Sequence, residues 1–176
     1  MTNLVDPNPR TIGKFNLHPI ALGCWRLVAM SSTEAQTRLE AAIESGINLI
    51  DNADVYGLDW GGEAFGAAEE LLGKVLSQAP HIREKIVLAT KGGIIPGIPY
   101  DSANLEQACN DSLKRLQVEQ IDLYQIHRPD LLSHPADVAR ILEKLRSSGK
   151  IGEVGVSNFS TSQIDALQAH LSFKLV

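Results

Sequence analysis

Apolar residues along this chain follow two alternating spacings from about residue 33 onward. Segments in which apolar residues recur every three or four positions are typical of amphipathic helices, and the short, mainly apolar runs between them are typical of buried strands. This alternation predicts an α/β fold with a parallel sheet that is covered on both faces. The predicted strands are residues 47–50, 86–89, 121–126, 151–156 and a last run that begins at Phe173.

The periodic segments predict five helices. Their apolar stripes pass, one residue per helix, through Leu39, Leu72, Leu113, Leu142 and Leu167. Two helices have a recognisable first turn, because Thr33 with Gln36 and Ser160 with Gln163 show the capping-box pattern. In that pattern each side chain bonds the free backbone N–H of the other residue. The first and last helices are therefore expected to begin at these boxes.

The segment before residue 33 predicts a small β-structure. Residues 19–25 are expected to form a further strand, and residues 11–17 a hairpin that turns at Gly13. No stretch of the chain has the composition of an interdomain linker. Residues 1–176 are therefore expected to form one domain.

Composition and charge exclude several classes of protein. The chain carries 21 acidic and 16 basic side chains, a net charge of −5, which argues against nucleic acid as a partner. No apolar run approaches the ~18 residues of a membrane span, so no membrane partner is expected. The chain has two cysteines, Cys24 and Cys109, which are too few for a disulfide scaffold. We expect both to be small buried residues of a protein in the reducing cytoplasm. The histidines lack metal-ligand spacing, and no metal site is predicted.

Polar side chains follow four successive predicted strands. They are Asp51, Lys91, His127 and the pair Ser157-Asn158. Right-handed crossovers bring the C-terminal ends of parallel strands to one face, where barrels and open sheets build their active sites. One polar residue at a strand end carries little information. Four in succession favour a functional site at that face.

A phenol near these groups makes a specific reaction plausible. Tyr56 lies five residues beyond Asp51. A nearby ammonium such as Lys91 favours the phenolate form, and a carboxylate such as Asp51 keeps the ammonium charged and in place. A phenol activated in this way can protonate the alkoxide that forms when a carbonyl is reduced by hydride, and a neutral imidazole can orient the carbonyl. His127 fits that last role.

The segments around these residues resemble the aldo-keto reductase superfamily, whose (β/α)8 barrels reduce aldehydes and ketones with NADPH. The matching segments occur in the family's order and are residues 51–57, 90–91, 122–127 and 155–158. The resemblance implies a catalytic tetrad of Asp51, Tyr56, Lys91 and His127, with Tyr56 as the proton donor. The link between Tyr56 and Glu69 is longer than is common in the family.

The same resemblance implies a cofactor and a substrate class. Ser157 and Asn158 match the pair that holds the nicotinamide carboxamide, and Trp25 matches an aromatic residue of the substrate-pocket wall. The implied cofactor is NADPH, although the sequence does not exclude NADH. The implied substrate is a small aldehyde or ketone, and the chain is expected to be a cytoplasmic oxidoreductase.

A complete barrel of this type has eight strands in ~250 residues, whereas this chain ends at Val176 inside the predicted sixth strand. We therefore expect the N-terminal part of a longer protein, with about five βα units and the start of the sixth strand. Residues 1–176 alone are expected to be inactive and poorly folded, because their edge strands would be unpaired. Two alternatives stay open: a non-catalytic, cofactor-binding regulatory subunit of the same fold, and an open flavodoxin-like sheet that binds a flavin.

Overall fold

The computed structural model describes residues 8–58, 64–94 and 103–176, so residues 59–63 of the long link lie outside it. The described chain begins with an antiparallel hairpin of β1 (Arg10–Ile12) and β2 (Phe15–Leu17). Gly13 lies in its turn with a φ of 54°, a conformation that glycine adopts without steric cost. The predicted hairpin is confirmed.

Five parallel strands form the main described sheet. They are β3 (Leu22–Gly23), β4 (Leu49–Asp51), β5 (Val87–Gly92), β6 (Ile121–Ile126) and β7 (Ile151–Val156). Their order in the sheet is their order in the chain. Consecutive units of a (β/α)8 barrel have that order. In a flavodoxin-like sheet the strand order is 2-1-3-4-5, so the first strand lies between the second and the third. The flavodoxin-like alternative is therefore wrong.

Helices connect the strands and pack in the same order. They are α1 (Ser32–Glu44), α2 (Ala67–Gln78), α3 (Pro80–Arg83), α4 (Ala103–Leu116), α5 (Pro135–Ser147) and α6 (Thr161–Gln168). Along this row α1 contacts α2, α2 contacts α4, α4 contacts α5 and α5 contacts α6. The five predicted helices are present, and α3 is an additional single turn that begins at Pro80, a residue suited to the first position of a helix.

The hydrophobic core lies between these helices and one face of the sheet. Leu88 and Val154 of the strands are fully buried there against helix residues such as Leu72 and Leu142, and both cysteines are buried. The other face of the sheet is lined by Leu49, Asp51, Leu123, Gln125 and Gly155. Asp51 and the half-buried Gln125, the two polar residues of this group, therefore lie on the face opposite the helices.

Two predicted boundaries were wrong at the start of the barrel. Only Leu22 and Gly23 of the predicted strand 19–25 pair with β4, and Trp25–Ala29 forms a 3₁₀ helix instead. Pro19 has no N–H for a strand ladder, and beyond the pair the Leu27 N–H donates to the Cys24 carbonyl, which turns the chain.

The first helix begins with a different capping box from the one predicted. The Glu34 N–H donates to Ser31 Oγ at 3.3 Å, and the Ser31 N–H donates to Glu34 Oε2 at 2.9 Å. A carboxylate in the first turn also interacts favourably with the helix dipole, which an amide at Gln36 would do less well. The capping box of Ser160 with Gln163 is confirmed.

The predicted strand at Phe173 is not formed within the chain. Residues 173–176 have no regular strand structure, although the Val176 N–H donates to the Val154 carbonyl of β7 at 3.0 Å. A strand needs several successive bonds of this kind, so a single one aligns the chain with β7 without completing a ladder.

A buried ionic cluster joins α2, β5 and α4. Glu69 is fully buried, and its two carboxylate oxygens accept from Thr90 Oγ1 at 2.6 Å and from Arg115 Nε at 2.7 Å. The Arg115 guanidinium also lies over the Phe65 ring, 5.6 Å from its centroid. A buried carboxylate is tolerated only when it is paired and hydrogen-bonded, so this cluster holds Thr90, and with it the end of β5, against α2.

Asp54 is a second buried acid beside this cluster. Its backbone N–H donates to the Lys91 carbonyl at 2.9 Å, and its Oδ2 accepts from the Gly93 N–H at 3.1 Å. Burial, and secondly the charge of Glu69, raises the pKa of Asp54 from 3.8 to about 7. Ionised Asp54 is therefore unfavourable in the folded protein, although its bonds tie the loop after β4 to the end of β5.

The Asp54→Asn variant should become more stable relative to wild type as the pH rises. The pKa of Asp54 is higher in the folded than in the unfolded state. The stability that Asp54 contributes to the folded protein is therefore fully present below pH 3.8 and is lost as the pH rises through about 7. Asparagine keeps an acceptor for the Gly93 N–H and carries no charge. Between about pH 5 and about pH 8 the variant should gain roughly 2 to 3 kcal/mol on wild type, measured by urea unfolding.

Asp111→Asn is the matched control. Asp111 lies on α4, and the hydrogen bond from Gln107 lowers its pKa, so it is ionised in both states above about pH 5. Its effect on the free energy of unfolding should not vary across this range. Equal pH profiles for the two variants would contradict the role given to Asp54.

Candidate active site

The C-terminal ends of β4 and β5 bring three predicted site residues into direct contact. Lys91 Nζ donates to Asp51 Oδ2 at 2.7 Å and to Tyr56 Oη at 3.2 Å. It also donates to the Asn52 carbonyl at 2.8 Å. An ammonium has three N–H donors, so each of them has an acceptor here. The buried Lys91 ammonium is thus held in one position between the carboxylate and the phenol.

The loop after β4 carries Tyr56 and is fixed to the start of α2. The Tyr56 N–H donates to the Ala53 carbonyl at 3.2 Å, and the Ala68 N–H donates to the Tyr56 carbonyl at 3.1 Å. Gly57 follows with a φ of 127°, and a side chain there would meet the carbonyl oxygen of Ala64 at 2.5 Å. A glycine is therefore required next to the tyrosine.

His127 at the end of β6 is the fourth predicted residue at this hollow. Its ring lies edge-on to the Tyr56 ring, with centroids 5.9 Å apart and an interplanar angle of 85°. Burial, followed by the positive charges of Lys91 and Arg128, lowers the pKa of His127 from 6.5 to about 4, against a smaller opposite effect of Asp51. The imidazole is therefore neutral at physiological pH.

Trp25 and the pair Ser157-Asn158 lie around the same four side chains. The Trp25 ring stacks on the Tyr56 ring with centroids 5.9 Å apart, and it is 44% exposed. Asn158 Nδ2 donates to the His127 carbonyl at 2.9 Å and to Ser157 Oγ at 3.0 Å. Asn158 has a φ of 62°, which asparagine tolerates better than most residues. All seven predicted site residues therefore lie at one end of the sheet.

Sequence reasoning missed one polar neighbour of this group. Gln125 Nε2 donates to Asp51 Oδ1 at 3.3 Å, so the second oxygen of that carboxylate is also engaged. The available signal was its spacing: Gln125 lies two positions before His127 on β6, and alternate residues of a strand share a face. Glu69 was not singled out either, and its buried carboxylate binds Thr90, the residue before Lys91.

Within 8–58, 64–94 and 103–176, no three His, Cys, Asp or Glu side chains are grouped closely enough to hold a metal ion. In the same ranges no helix has the length and apolarity needed to cross a membrane.

Solved structures of known enzymes share this fold. The holo form of an aldo-keto reductase from Bacillus halodurans aligns with a TM-score of 0.77 at 28% identity, covering 96% of this chain and 56% of the other. A glycerol dehydrogenase from Gluconobacter oxydans aligns with a TM-score of 0.77 at 36% identity, covering 93% of this chain and 52% of the other. The described strands are thus part of a TIM barrel.

Sequence comparison gives the same result. A 6-dehydroglucose reductase from Novosphingobium aromaticivorans is 52% identical over 161 residues, which cover 89% of this chain and 53% of that protein. The chain spans about half the length of the curated relatives it matches. Residues 19–176 match the family model described as the aldo/keto reductase family. The resemblance found in the sequence is therefore confirmed, and the chain belongs to the aldo/keto reductase family.

Proposed function

We propose that this protein reduces an aldehyde or ketone by hydride transfer from NADPH, with Tyr56 as the general acid. The observation that carries the proposal is the contact of one buried ammonium with both a phenol and a carboxylate. Lys91 Nζ is 3.2 Å from Tyr56 Oη and 2.7 Å from Asp51 Oδ2. Membership of a family with oxidoreductase relatives supports the same reaction class.

The phenol is the proton donor in this mechanism. The reduced nicotinamide, when bound, supplies a hydride to the carbonyl carbon. Tyr56 Oη gives its proton to the carbonyl oxygen as negative charge develops there, and the O–H bond of the phenol breaks as the O–H bond of the alcohol forms. The Lys91 ammonium stabilises the negative charge left on the phenol oxygen, and Asp51 holds the ammonium in place.

His127 and Trp25 orient the substrate in this proposal. A neutral imidazole can donate a hydrogen bond to the carbonyl oxygen without adding a full charge, and the lowered pKa of His127 keeps it neutral. The exposed part of the Trp25 ring offers an apolar plane beside the phenol. The apolar face of a sugar or of an alkyl chain can pack on such a plane.

Ser157 and Asn158 have the chemistry needed to hold a nicotinamide. A carboxamide presents one acceptor and two donors, and a serine hydroxyl together with an amide oxygen complements it. The Asn158 amide nitrogen is bonded to the His127 carbonyl, which leaves the amide oxygen to accept. We propose that this pair binds the carboxamide and so directs the nicotinamide ring towards the hollow between Tyr56 and His127.

The relative from Novosphingobium aromaticivorans is named for 6-dehydroglucose. We propose that this chain acts on the same class of substrate, a polyhydroxylated aldehyde. The assay panel should therefore contain 6-dehydroglucose, a simple aldehyde and a ketone, each with NADPH and with NADH.

The Tyr56→Phe variant tests the general acid. In the intact protein, kcat for oxidation of NADPH should fall by roughly 10²- to 10⁴-fold, because proton donation to the alkoxide is lost. Binding of NADPH, followed by its fluorescence, should stay within about twofold, because the phenol takes no part in holding the nicotinamide. Tyr124→Phe is the matched control, since Tyr124 is a buried tyrosine of β6 that belongs to the core.

Three outcomes of this experiment differ in meaning. Equal turnover in Tyr56→Phe and in the parent would contradict the role of Tyr56. Cofactor binding without turnover of any carbonyl in the parent would favour the alternative of a non-catalytic regulatory subunit. Turnover with NADH that exceeds turnover with NADPH would overturn the proposed cofactor preference and leave the reaction class in place.

The protonation state of His127 gives a second prediction. The imidazole should titrate in NMR spectra with a midpoint of about 4 rather than 6.5. In the intact protein the rate profile should then show no histidine limb between about pH 5 and about pH 8. His127→Gln should lower kcat by roughly tenfold or more without changing the shape of the profile in that range. A midpoint close to 6.5 would show that the ring is not neutralised by its surroundings.

We also propose that a polypeptide of residues 1–176 alone does not turn over substrate. β3 and β7 are the two outer strands of the described sheet. On the face opposite the helices, Gln125 is only half-buried. Unpaired strand edges favour association with other chains. Size-exclusion chromatography should show association, and the carbonyl panel should show no turnover. A monomer that unfolds cooperatively and reduces an aldehyde would disprove this.

A further inference from the structure

We infer that Gln125 is a positioning residue that holds Asp51 in the orientation needed to bind Lys91, and so sets the place of the ammonium beside Tyr56. The inference rests on the proposed function, which gives the contact of Lys91 with Tyr56 its purpose. Gln125 itself acts through Asp51, because among the described residues its side chain donates a hydrogen bond to that carboxylate and to no other group.

The two oxygens of Asp51 have different partners. Oδ2 accepts from the Lys91 ammonium at 2.7 Å, and Oδ1 accepts from Gln125 Nε2 at 3.3 Å. The Asp51 side chain is 30% exposed, so packing alone does not prevent it from turning towards water. Hydrogen bonds at both oxygens remove that freedom, since rotation of the carboxylate would break one or both of them.

The sheet provides the space for this arrangement. Lys91, Gln125 and Gly155 are register partners on the neighbouring strands β5, β6 and β7. Gly155 has no side chain, and a Cβ placed there would lie 3.3 Å from Gln125 Cγ. The Gln125 Cγ therefore lies next to Gly155, and its amide reaches Asp51 on β4.

A neutral donor is the suitable chemistry at this position. A second cation at residue 125 would compete with Lys91 for the carboxylate, and an apolar side chain would leave Oδ1 to water. The amide of Gln125 binds Oδ1 without altering the net charge of the Asp51–Lys91 pair. The negative charge of Asp51 therefore stays paired with the Lys91 ammonium, and the ammonium stays within hydrogen-bond distance of the Tyr56 phenol.

The Gln125→Leu variant of the intact protein tests this role. It removes the donor and keeps a side chain of similar size. We expect kcat for carbonyl reduction to fall roughly tenfold, which corresponds to about 1.4 kcal/mol of barrier, with KM unchanged within about twofold. A crystal structure of the variant should show Asp51 Oδ2 displaced from its 2.7 Å contact with Lys91 Nζ. Thermal unfolding confirms that the variant is folded.

Gln36→Leu is the matched control. Gln36 is a half-buried glutamine of α1 whose Nε2 donates to a carboxylate oxygen of Glu40 at 2.9 Å, and Glu40 is not a residue of the site. It loses the same type of hydrogen bond in the same substitution. Its kcat should remain within about twofold of the parent. A similar loss in both variants would show that Gln125 has only a general structural role.

The Gln125→Glu variant supplies a readout that a purely structural residue would not change. An ionised carboxylate at this position repels Asp51, whereas a protonated one can donate to Asp51 Oδ1 as the amide does. The ratio of kcat for this variant to kcat for the parent should therefore rise as the pH falls from about 8 to about 5. A ratio that does not depend on pH would overturn the inference.

The two readouts separate this inference from the proposed function. If the parent reduces carbonyls and Gln125→Leu matches it, Gln125 is not a positioning residue and the proposed function stands. If the parent reduces no carbonyl, the proposed function fails, and the position of Asp51 in the crystal structure still decides the role of Gln125. An increase of KM at constant kcat would make Gln125 a substrate-binding residue and would also overturn the inference.

Discussion

The arrangement of this site depends on one buried ammonium whose three donors are all used. Lys91 binds a carboxylate, a backbone carbonyl and a phenol at 2.7, 2.8 and 3.2 Å. A buried cation is unfavourable unless it is paired and hydrogen-bonded, so these contacts are a condition for folding as well as for chemistry. The same requirement that stabilises the lysine therefore brings Asp51 and Tyr56 to within reach of each other.

The surrounding structure keeps that ammonium in place from two directions. On the helix side of the sheet, the buried carboxylate of Glu69 binds Thr90, the residue before Lys91, and is itself paired with Arg115. On the opposite face, Gln125 binds the free oxygen of Asp51. Because alternate residues of β5 point to opposite faces, Thr90 and Lys91 are held by separate groups, and a change in one network need not propagate to the other.

The sequence predicted the strands better in the later units than at the start of the barrel. β6 and β7 have the predicted bounds, because both runs are mainly apolar and each has a polar residue directly before and after it. The first barrel strand has only two residues, since Pro19 lacks an N–H and a 3₁₀ helix begins at Trp25. The predicted capping box of the first helix was wrong by two residues. Ser31 and Thr33 are each followed three positions later by a suitable partner, Glu34 and Gln36. Local pattern does not distinguish two such caps.

The sequence by itself determined the order of βα units, the positions of the polar residues at the strand ends and the membership of the aldo/keto reductase family. Each of these follows from the spacing of residues along the chain, which is known from the sequence without a three-dimensional structure. Only the tertiary structure decided that Gln125 binds Asp51 across 74 residues of chain, that Asp54 is a buried acid with a raised pKa, and that the His127 pKa is lowered. These properties depend on distance, burial and neighbouring charge in three dimensions, and none of these is encoded by the spacing of residues along the chain.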